Sequence, residues 1–377
     1  MSFLTLTAPR FDIRSRLMLI APHPDDEALA CSVILQQAVR AGAAIRIVYV
    51  TDGDDNPWPQ RALERRWRLS ASDRKRWGKL RRTESLAALR VLDIGSADVQ
   101  FLGLPDQGLT DLLLRDCNSA LARIAQVIDD WSPTDILAPS MFDIHPDHNA
   151  VAVMTRLIFA DFVTSGVSQW NYLVHGRSPA FFDRAAQLSP SEVEIATKRD
   201  AIRCHQTQIK LSRRRFLRYA TRPERFLRVE RKSAVWRDGA VHSVSRTRDN
   251  LNVDLRFPVD PFRMQGRKFF ILGRDSFGRK RACRIRLPMC SGDLEMLDCA
   301  TNRNIGIARN RGQPFAGELT LPLHLFSPIH DLFIKVDRRG WFFDEAGWIE
   351  IPCAPSLTKV AQPMIFAEAH HSKRLAI

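Results

Sequence analysis

The sequence has no long apolar run. It contains no stretch of about 18 uncharged apolar residues, and the longest candidate, residues 151–163, is interrupted by Arg156 and Asp161. The first residues also lack the basic region, apolar core and small-residue site that mark a signal peptide. We therefore expect a cytoplasmic protein without a membrane-spanning segment, which could contact the inner membrane face peripherally.

Paired cysteines are missing as well. The seven cysteines are scattered, odd in number and form no C-x-x-C pair. This distribution argues against a disulfide framework and against a cysteine-ligated zinc site, and it fits a reducing compartment. The sequence also shows no internal repeat, no low-complexity tract and no known nucleic-acid-binding motif.

Positive charge, in contrast, is abundant. The 377 residues include 56 Lys and Arg against 42 Asp and Glu, a formal net charge of +14. The excess predicts a polyanionic partner: nucleic acid, an anionic membrane face or a phosphorylated substrate. A basic protein without such a partner is the alternative, because net charge constrains association rather than fold.

Residues 13–210 alternate between strand and helix signals. The strands are short apolar runs, which are typical of a parallel sheet buried on both faces. We predict strands at 17–21, 44–50, 99–102, 135–138 and 170–174, and helices at 27–40, 83–91, 111–131, 149–162 and 191–208. This alternation predicts a Rossmann-like, mostly parallel, doubly wound α/β domain.

From about residue 211 the pattern changes: a basic segment leads into apolar residues at every second position, separated by Gly- and Pro-containing turns. Such alternation predicts an antiparallel, all-β, sandwich-like domain. We therefore divide the chain into a domain of residues 1–225 and a β-rich accessory domain of residues 226–377. An insertion at 54–82, with three tryptophans and many basic residues, fits either a substrate lid or a solvated helical face.

Two polar motifs follow predicted strands. His23-Pro24-Asp25-Asp26-Glu27 comes directly after strand 17–21, and His145-Pro146-Asp147-His148 follows strand 135–138. In an open α/β sheet, ligands bind at the carboxyl ends of the strands, so we expect both loops at one edge. Each motif alone could be a helix start with an aspartate cap. Their equivalent positions in one sheet favour a shared chemical role.

These residue types predict a metal hydrolase. Catalytic zinc sites use three nitrogen or oxygen ligands and leave one position open, and His23, Asp26 and His148 supply such a set. Zinc lowers the pKa of a bound water from about 15.7 towards ~7, which makes a nucleophile available at neutral pH. Asp25, next to a ligand, is placed to act as the general base for that water.

The remaining two residues of the second motif have supporting roles in this hypothesis. His145, as an imidazolium, could stabilise the oxyanion or donate a proton to the leaving amine. Asp147 could hydrogen-bond His145 and keep it charged, as a second layer around the metal ligands.

The first 210 residues resemble the PIG-L/LmbE-type zinc-dependent N-deacetylases, which remove acetyl groups from N-acetylglucosamine-containing substrates. The resemblance rests on residues 21–27 (APHPDDE), 51–53 (TDG), 81–84 (RRTE), 104–106 (LPD), 145–148 (HPDH), and Lys198 with 205–208 (HQTQ). It implies the same metal ligands, base and charge-stabilising histidine. Some members carry a tyrosine just before the second motif as a proton donor. Residues 140–144 contain none, so that task falls to His145 or Asp25.

The resemblance also implies three substrate-binding residues. Asp106 matches a carboxylate that holds a sugar hydroxyl, Arg81 matches a basic residue of the pocket, and His205 matches the histidine of the late motif. Each has a simpler alternative: a turn aspartate, an arginine on a helix surface and a histidine satisfied within its helix.

We thus predict an amidohydrolase that uses Zn²⁺ to remove the N-acetyl group from an amino sugar. The positive charge suggests a lipid-linked or phosphorylated glycan, such as a lipopolysaccharide-core precursor. The alternatives are an amidase of a small thiol conjugate and a nucleic-acid-binding protein whose residues 213–232 track phosphates. In the β-rich domain, the aromatic residues could bind sugar rings or form its core; they are Trp341, Phe342, Phe343 and Trp348.

Overall fold

The computed structural model describes residues 7–161, 166–176, 178–229, 240–257, 267–287, 290–313, 316–337, 343–344 and 347–353. Within them, ten α-helices and sixteen strands alternate and then give way to strands alone. The helices are α1 (Asp26–Ala30), α2 (Ser32–Arg40), α3 (Pro57–Glu64), α4 (Ala71–Val91), α5 (Leu109–Arg115), α6 (Asn118–Trp131), α7 (Pro146–Asp161), α8 (Pro179–Phe182), α9 (Glu192–Cys204) and α10 (Gln206–Leu217).

A mostly parallel sheet forms the centre of the N-terminal part. Its strands are β1 (Arg16–Ala21), β2 (Ala44–Thr51), β3 (Val99–Leu104), β4 (Asp135–Pro139), β5 (Ser168–Tyr172), β6 (Ala186–Gln187) and β7 (Arg225–Arg228). They lie in the order β3-β2-β1-β4-β5-β7-β6. Strands β1 to β5 are parallel, and β7 pairs antiparallel with both β5 and β6. The order reverses direction between β1 and β4, and ligands bind at such a switch point.

Helices cover both faces of this sheet. On β1, Leu17 and Leu19 pack with α1, α2, α4 and α9, whereas Met18 and Ile20 pack with α5, α6 and α7. Because both faces are buried, the strand reads as a continuous apolar run. The predicted Rossmann-like α/β architecture is confirmed.

Several helices differ from their predicted bounds. The helix expected at 27–40 is two helices that meet at Cys31, and the one expected at 191–208 ends at Cys204 before α10 begins. The helix expected at 83–91 already starts at Ala71. Ser70 and Asp73 begin it with a reciprocal capping box, a signal that is readable in the sequence.

The C-terminal part is an antiparallel sheet, as predicted. Among the described residues it has nine strands: β8 (Val241–Arg246), β9 (Asn250–Arg256), β10 (Lys268–Arg274), β11 (Lys280–Arg286), β12 (Gly292–Asp298), β13 (Asn304–Gln313), β14 (Ala316–Pro322), β15 (Leu332–Asp337) and β16 (Ile349–Ile351). Their order is β16-β15-β10-β11-β12-β13-β14-β9-β8. The sheet curls around one core, and Arg246 of β8 donates to Pro352 O beyond β16 at 3.1 Å.

The two parts share the apolar core that lies on the α5–α7 side of the parallel sheet. Phe270, Leu272 and Phe333, on the outer face of β10 and β15, pack in one cluster with residues of α5, α6 and α7. An ion pair between Arg156 and Glu350, at 2.6 Å, lies beside it. The predicted boundary at residue 225 falls at the start of β7, which pairs with β5. The division into 1–225 and 226–377 stays a prediction.

None of the helices that the structure describes combines the length and the apolar character needed to cross a membrane.

Candidate functional site

The first motif is held in a strained backbone conformation. Asp25, between β1 and α1, has φ 138° and ψ −20°, a region that residues other than glycine rarely adopt. Its backbone N donates to Glu27 Oε2 at 2.9 Å, and its Oδ2 accepts from Arg81 Nη2 at 3.0 Å. Such strain persists only where the surroundings enforce it, and it concentrates at functional sites.

Arg81 reaches Asp25 through a gap left by a glycine. Its Nη1 donates to Gly53 O at 2.8 Å and its Nη2 to Pro24 O at 2.6 Å. Gly53 has φ +62°, and a Cβ at this position would lie 1.9 Å from Arg81 Nη1. The T-D-G stretch after β2 therefore leaves room for the guanidinium group that fixes the Asp25 carboxylate.

His23, Asp26 and His148 meet at the switch point. His23 Nδ1 lies 3.2 Å from His148 Nε2 and 3.9 Å from Asp26 Oδ2, and His148 Nε2 lies 3.3 Å from Asp26 Oδ1. Ligand atoms about 2.0–2.2 Å from a tetrahedral zinc ion are separated by roughly 3.3–3.6 Å. All three residues are buried. The distances from His148 Nε2 to His23 Nδ1 and to Asp26 Oδ1 are close to these values, whereas the 3.9 Å distance involves the other oxygen of Asp26, which accepts from His23 N at 2.9 Å.

The surroundings direct acceptor atoms towards this point. His148 Nδ1 lies 3.2 Å from Asp143 Oδ2, which favours the ring proton there and leaves a lone pair on Nε2. Asp26 Oδ1, which faces that nitrogen, is buried and accepts no hydrogen bond from the described residues. With the ring proton on Nδ1, Nε2 and Oδ1 are two acceptors that face each other, and a cation between them would stabilise the pair. Against the effect of burial, Asp26 and Asp143 also raise the pKa of His148, so this point favours positive charge and fits a metal ion.

The other nitrogen of His23 faces two carboxylates. Its Nε2 lies 3.2 Å from Asp106 Oδ1 and 3.3 Å from Asp147 Oδ2. Burial opposes protonation of His23, but these two carboxylates raise its pKa well above the ordinary value. The two carboxylates fix a proton at Nε2, so Nδ1, which faces Asp26 and His148, is the nitrogen at which a metal ion would replace a proton. Two sets of three donor atoms converge within 4.8 Å in the described part of the chain, and both contain His23: His23, His145 and His148, and His23, Asp106 and Asp147.

His145 lies beside this cluster as a neutral ring. Its centroid is 4.7 Å from that of His23, and its Nδ1 accepts from Asp147 N at 3.2 Å, which favours the proton on Nε2. Burial, assisted by the neighbouring histidines, lowers the pKa of His145 well below its ordinary value. The expected pairing of the Asp147 carboxylate with His145 is not present: that carboxylate accepts from Gln107 N and Leu109 N and lies by His23.

A cavity of about 370 Å³ opens onto the cluster. Of the residues predicted from the sequence, the cavity lining includes His23, Asp25, Arg81, Asp106 and His145. Asp26, Asp147 and His148 lie behind them and are buried.

His205 has a different position. It is buried, its Nε2 lies 2.7 Å from Glu27 Oε1, and it is not among the residues that line the cavity. Because Glu27 also accepts the Asp25 N–H, His205 is linked to the strained loop rather than to the cavity.

The cavity also contains residues that the sequence did not indicate. His175, with centroids 5.4 Å from His145 and 5.0 Å from His148, follows β5, the parallel neighbour of β4. The strand-end argument used for the two motifs would have found it. Burial lowers the pKa of His175 to about 3, against the opposing effect of Asp143. Phe343, one of the aromatic residues of the β-rich part named above as able to bind sugar rings, also lines this cavity.

The two interpretations of the insertion at 54–82 apply to different parts of it. Trp58 of α3 lines the cavity, as a lid residue would. Trp77 is buried in α4, and Trp67 is 80% exposed. Among the aromatic residues of the β-rich part, Trp348 is buried in the shared core, whereas Trp341 and Phe342 lie outside the described residues.

Comparison with known proteins assigns the N-terminal part. Residues 18–159, which begin within β1 and include β4 and both motifs, match the family described as PIG-L: GlcNAc-PI de-N-acetylase. These residues form a PIG-L family domain. The resemblance inferred from the motifs is confirmed.

Two curated relatives carry the same name, "1D-myo-inositol 2-acetamido-2-deoxy-alpha-D-glucopyranoside deacetylase". The protein from Mycobacterium sp. (strain KMS) is 30% identical over 147 residues, 35% of this chain and 46% of its own length. That from Mycobacteroides abscessus is 25% identical over 236 residues, 52% of this chain and 82% of its own. The chain thus spans about half the length of the first relative.

A solved structure, N,N'-diacetylchitobiose deacetylase from Pyrococcus horikoshii, is also similar. Its sequence identity is 17% and its TM-score is 0.45, over 57% of this chain and 84% of that one.

Proposed function

We propose that this protein is a metal-dependent N-deacetylase of an N-acetylated amino sugar. The observation that carries the proposal is the facing pair of buried acceptors, His148 Nε2 and Asp26 Oδ1, beside His23 in a PIG-L family domain. The names of the relatives support the same chemistry, since they are deacetylases of a 2-acetamido sugar.

In this proposal His23, Asp26 and His148 hold Zn²⁺. Two imidazole nitrogens and one carboxylate oxygen, with a fourth position open, are typical of catalytic zinc. When bound, the ion would polarise the acetamide carbonyl and lower the pKa of a coordinated water.

Asp25 is the general base. Arg81 occupies its Oδ2 and the strained backbone fixes its direction, so Oδ1 is the atom that takes the proton from the attacking water. Asp25 then returns this proton to the leaving amine, since residues 140–144 contain no tyrosine for that step. We further propose that His205 acts through Glu27, by orienting the Asp25 loop, and not by contact with the substrate.

His145 stabilises the developing oxyanion. Its neutral ring carries the proton on Nε2, which donates to the carbonyl oxygen as negative charge accumulates there. Asp147 contributes in two ways: its backbone N–H fixes this tautomer of His145, and its carboxylate orients His23.

For the substrate, we propose an amino sugar within an anionic or lipid-linked glycan. Asp106 lines the cavity, and its Oδ1 accepts from Gln107 N at 3.0 Å and lies 3.2 Å from His23 Nε2, so a sugar hydroxyl would share an oxygen that the protein already uses. The net charge of +14 favours a polyanionic partner or membrane face. Asp106 also accepts from Asp55 N at 2.7 Å, so its carboxylate is held in place before a ligand arrives.

The test is acetate release by the full-length, zinc-loaded chain from N-acetylglucosamine, its 1-phosphate and its inositol glycoside. We expect release from at least one of them, and a loss of about 100-fold or more in Asp25→Asn with the zinc content unchanged. His148→Ala should lose the zinc as well. Absence of acetate from every sugar, with stoichiometric zinc measured, would contradict the proposal. A cysteinyl conjugate in the panel tests the thiol-conjugate alternative.

A further inference from the structure

A second cavity, of about 480 Å³, adjoins the first. The two share four lining residues, Leu29, His175, Arg215 and Phe343. The two cavities therefore form one cleft, and the candidate site lies in the first of them. A substrate that binds beside His145 would have room for a further group in the second cavity, beyond His175.

Arginines and aromatic rings surround the second cavity. Its lining includes Arg215, Arg222 and Arg225. The guanidinium of Arg222 lies 4.2 Å from the ring centre of Tyr219, and that of Arg225 lies 4.9 Å from that of Phe182. Stacking on a ring fixes the plane of a guanidinium group without using its N–H donors. Arg225 Nη2 donates to Gln187 Oε1 at 2.6 Å, and the other N–H groups of Arg225 remain for an anion.

Protein carboxylates do not neutralise these arginines. Within the described part of the chain, none of the three forms an ion pair. The cavity contains Glu224, but its carboxylate is fully used: it accepts from Lys198 Nζ at 2.7 Å, Val33 N at 2.9 Å and Ile34 N at 3.1 Å. The cavity thus presents uncompensated positive charge next to apolar surface.

Phe343, from the β-rich part, lies between the two cavities and lines both of them. The ring of Phe343 lies 6.0 Å from that of His145 and 5.3 Å from that of His175. Its neighbour Asp344 donates its backbone N–H to Ile144 O at 2.9 Å, and the Asp344 carboxylate is paired with buried Lys335. These contacts of Asp344 hold Phe343 in a fixed position against the loop that carries Ile144 and His145.

We infer that the second cavity binds a phosphate group attached to the amino sugar, with Phe343 packing against the apolar part of the connection. The inference rests on the proposed function. Guanidinium groups bind phosphate oxygens in paired, charge-assisted hydrogen bonds. Three arginines carry more positive charge than a ligand with a single carboxylate would neutralise, which favours phosphate as the ligand. A soluble sugar phosphate and a lipid-linked phosphodiester share this chemistry.

Calorimetric binding to the zinc-loaded chain tests the inference without relying on turnover. N-acetylglucosamine 1-phosphate should bind about 10-fold or more tightly than N-acetylglucosamine. The double variant Arg215→Gln/Arg222→Gln should reduce this preference to within about 2-fold. Arg228→Gln is the matched control, because Arg228 is exposed and lies 5.8 Å from the Trp170 ring but lines neither cavity. No preference in the wild type, or a preference retained in the double variant, overturns the inference.

A second arm distinguishes the two sources of phosphate. The octyl phosphodiester of N-acetylglucosamine should bind more tightly than the monoester if the natural ligand is lipid-linked, and Phe343→Ala should remove that gain while Phe343→Leu retains most of it. Equal affinities identify a soluble sugar phosphate. Acetate release without any phosphate preference leaves the proposed function standing and removes the subsite. Arginine-dependent phosphate binding without acetate release keeps the phosphate subsite and contradicts the proposed function.

Discussion

At the scale of single residues, the site contains one strained backbone conformation and one buried oxygen without a hydrogen-bond donor. Asp25 adopts a left-handed backbone conformation, and Asp26 Oδ1 is buried without a hydrogen-bond donor. Both arrangements cost free energy in the folded chain. Arg81 and Glu27 hold the first in place, and a bound cation would compensate the second.

Gly53→Ala tests how Arg81 reaches Asp25. The added Cβ would collide with Arg81 Nη1, so the guanidinium must leave Asp25, and kcat/KM should fall about 100-fold with zinc content unchanged. Gly103→Ala is the control, since Gly103 also has positive φ but its Cβ would meet nothing nearer than 3.5 Å. If both variants lose the same activity, backbone strain rather than Arg81 explains the effect.

At the scale of elements, the strand ends organise the candidate site. The sequence could predict that β1 and β4 bring their motifs together, because apolar runs identify buried parallel strands and each motif follows one directly. The same logic extends to His175 after β5. It does not extend to Phe343 or Arg215: Phe343 depends on docking of a distant sheet, and Arg215 lies beyond a kink at Ser212 in α10.

Helix α9 provides a pH-dependent contribution to stability. Burial raises the pKa of Glu194, but hydrogen bonds from Arg40, Ser191 and Gln37 outweigh it and lower the pKa to about 2. The stabilisation is therefore complete above the unfolded pKa near 4.5 and is lost as the pH falls towards 2. Glu194→Gln should lower the free energy of unfolding by about 1–2 kcal/mol at pH 7, with the difference disappearing near pH 2.

Denaturant titrations at several pH values measure this difference. Glu192→Gln, an exposed change in the same helical turn, is the control and should be close to neutral throughout. A pH-independent deficit in Glu194→Gln would show that lost packing, not the carboxylate charge, is responsible.

At the scale of the whole molecule, the two sheets stabilise each other. The outer face of the antiparallel sheet packs on the helices that support β4 and the second motif, and Arg156–Glu350 joins the parts beside this core. Composition and periodicity predicted both architectures. The continuous apolar runs 269–272 in β10 and 332–334 in β15 indicate that both faces of these strands are buried, but they do not show which surface covers the outer face.

Trp348→Ala should destabilise both parts together. Trp348 is 1% exposed within the shared core, and removing a buried tryptophan costs about 3–5 kcal/mol. We expect fluorescence and circular dichroism to report one coincident unfolding transition at lower denaturant concentration. The exposed Ile329→Ala is the control. Two separate transitions in the wild type would contradict mutual stabilisation.

The contacts of Asp344 also have a consequence during synthesis. Asp344 hydrogen-bonds Asn149, a partner 195 positions earlier in the chain, at 3.3 Å. Because a nascent chain emerges from its N-terminus, the PIG-L domain leaves the ribosome long before Phe343 exists. Phe343 therefore cannot separate the two cavities until the last β-strands have been translated. In ribosome-bound chains arrested before this point, the loop that carries His145 would be accessible because Phe343 does not yet cover it.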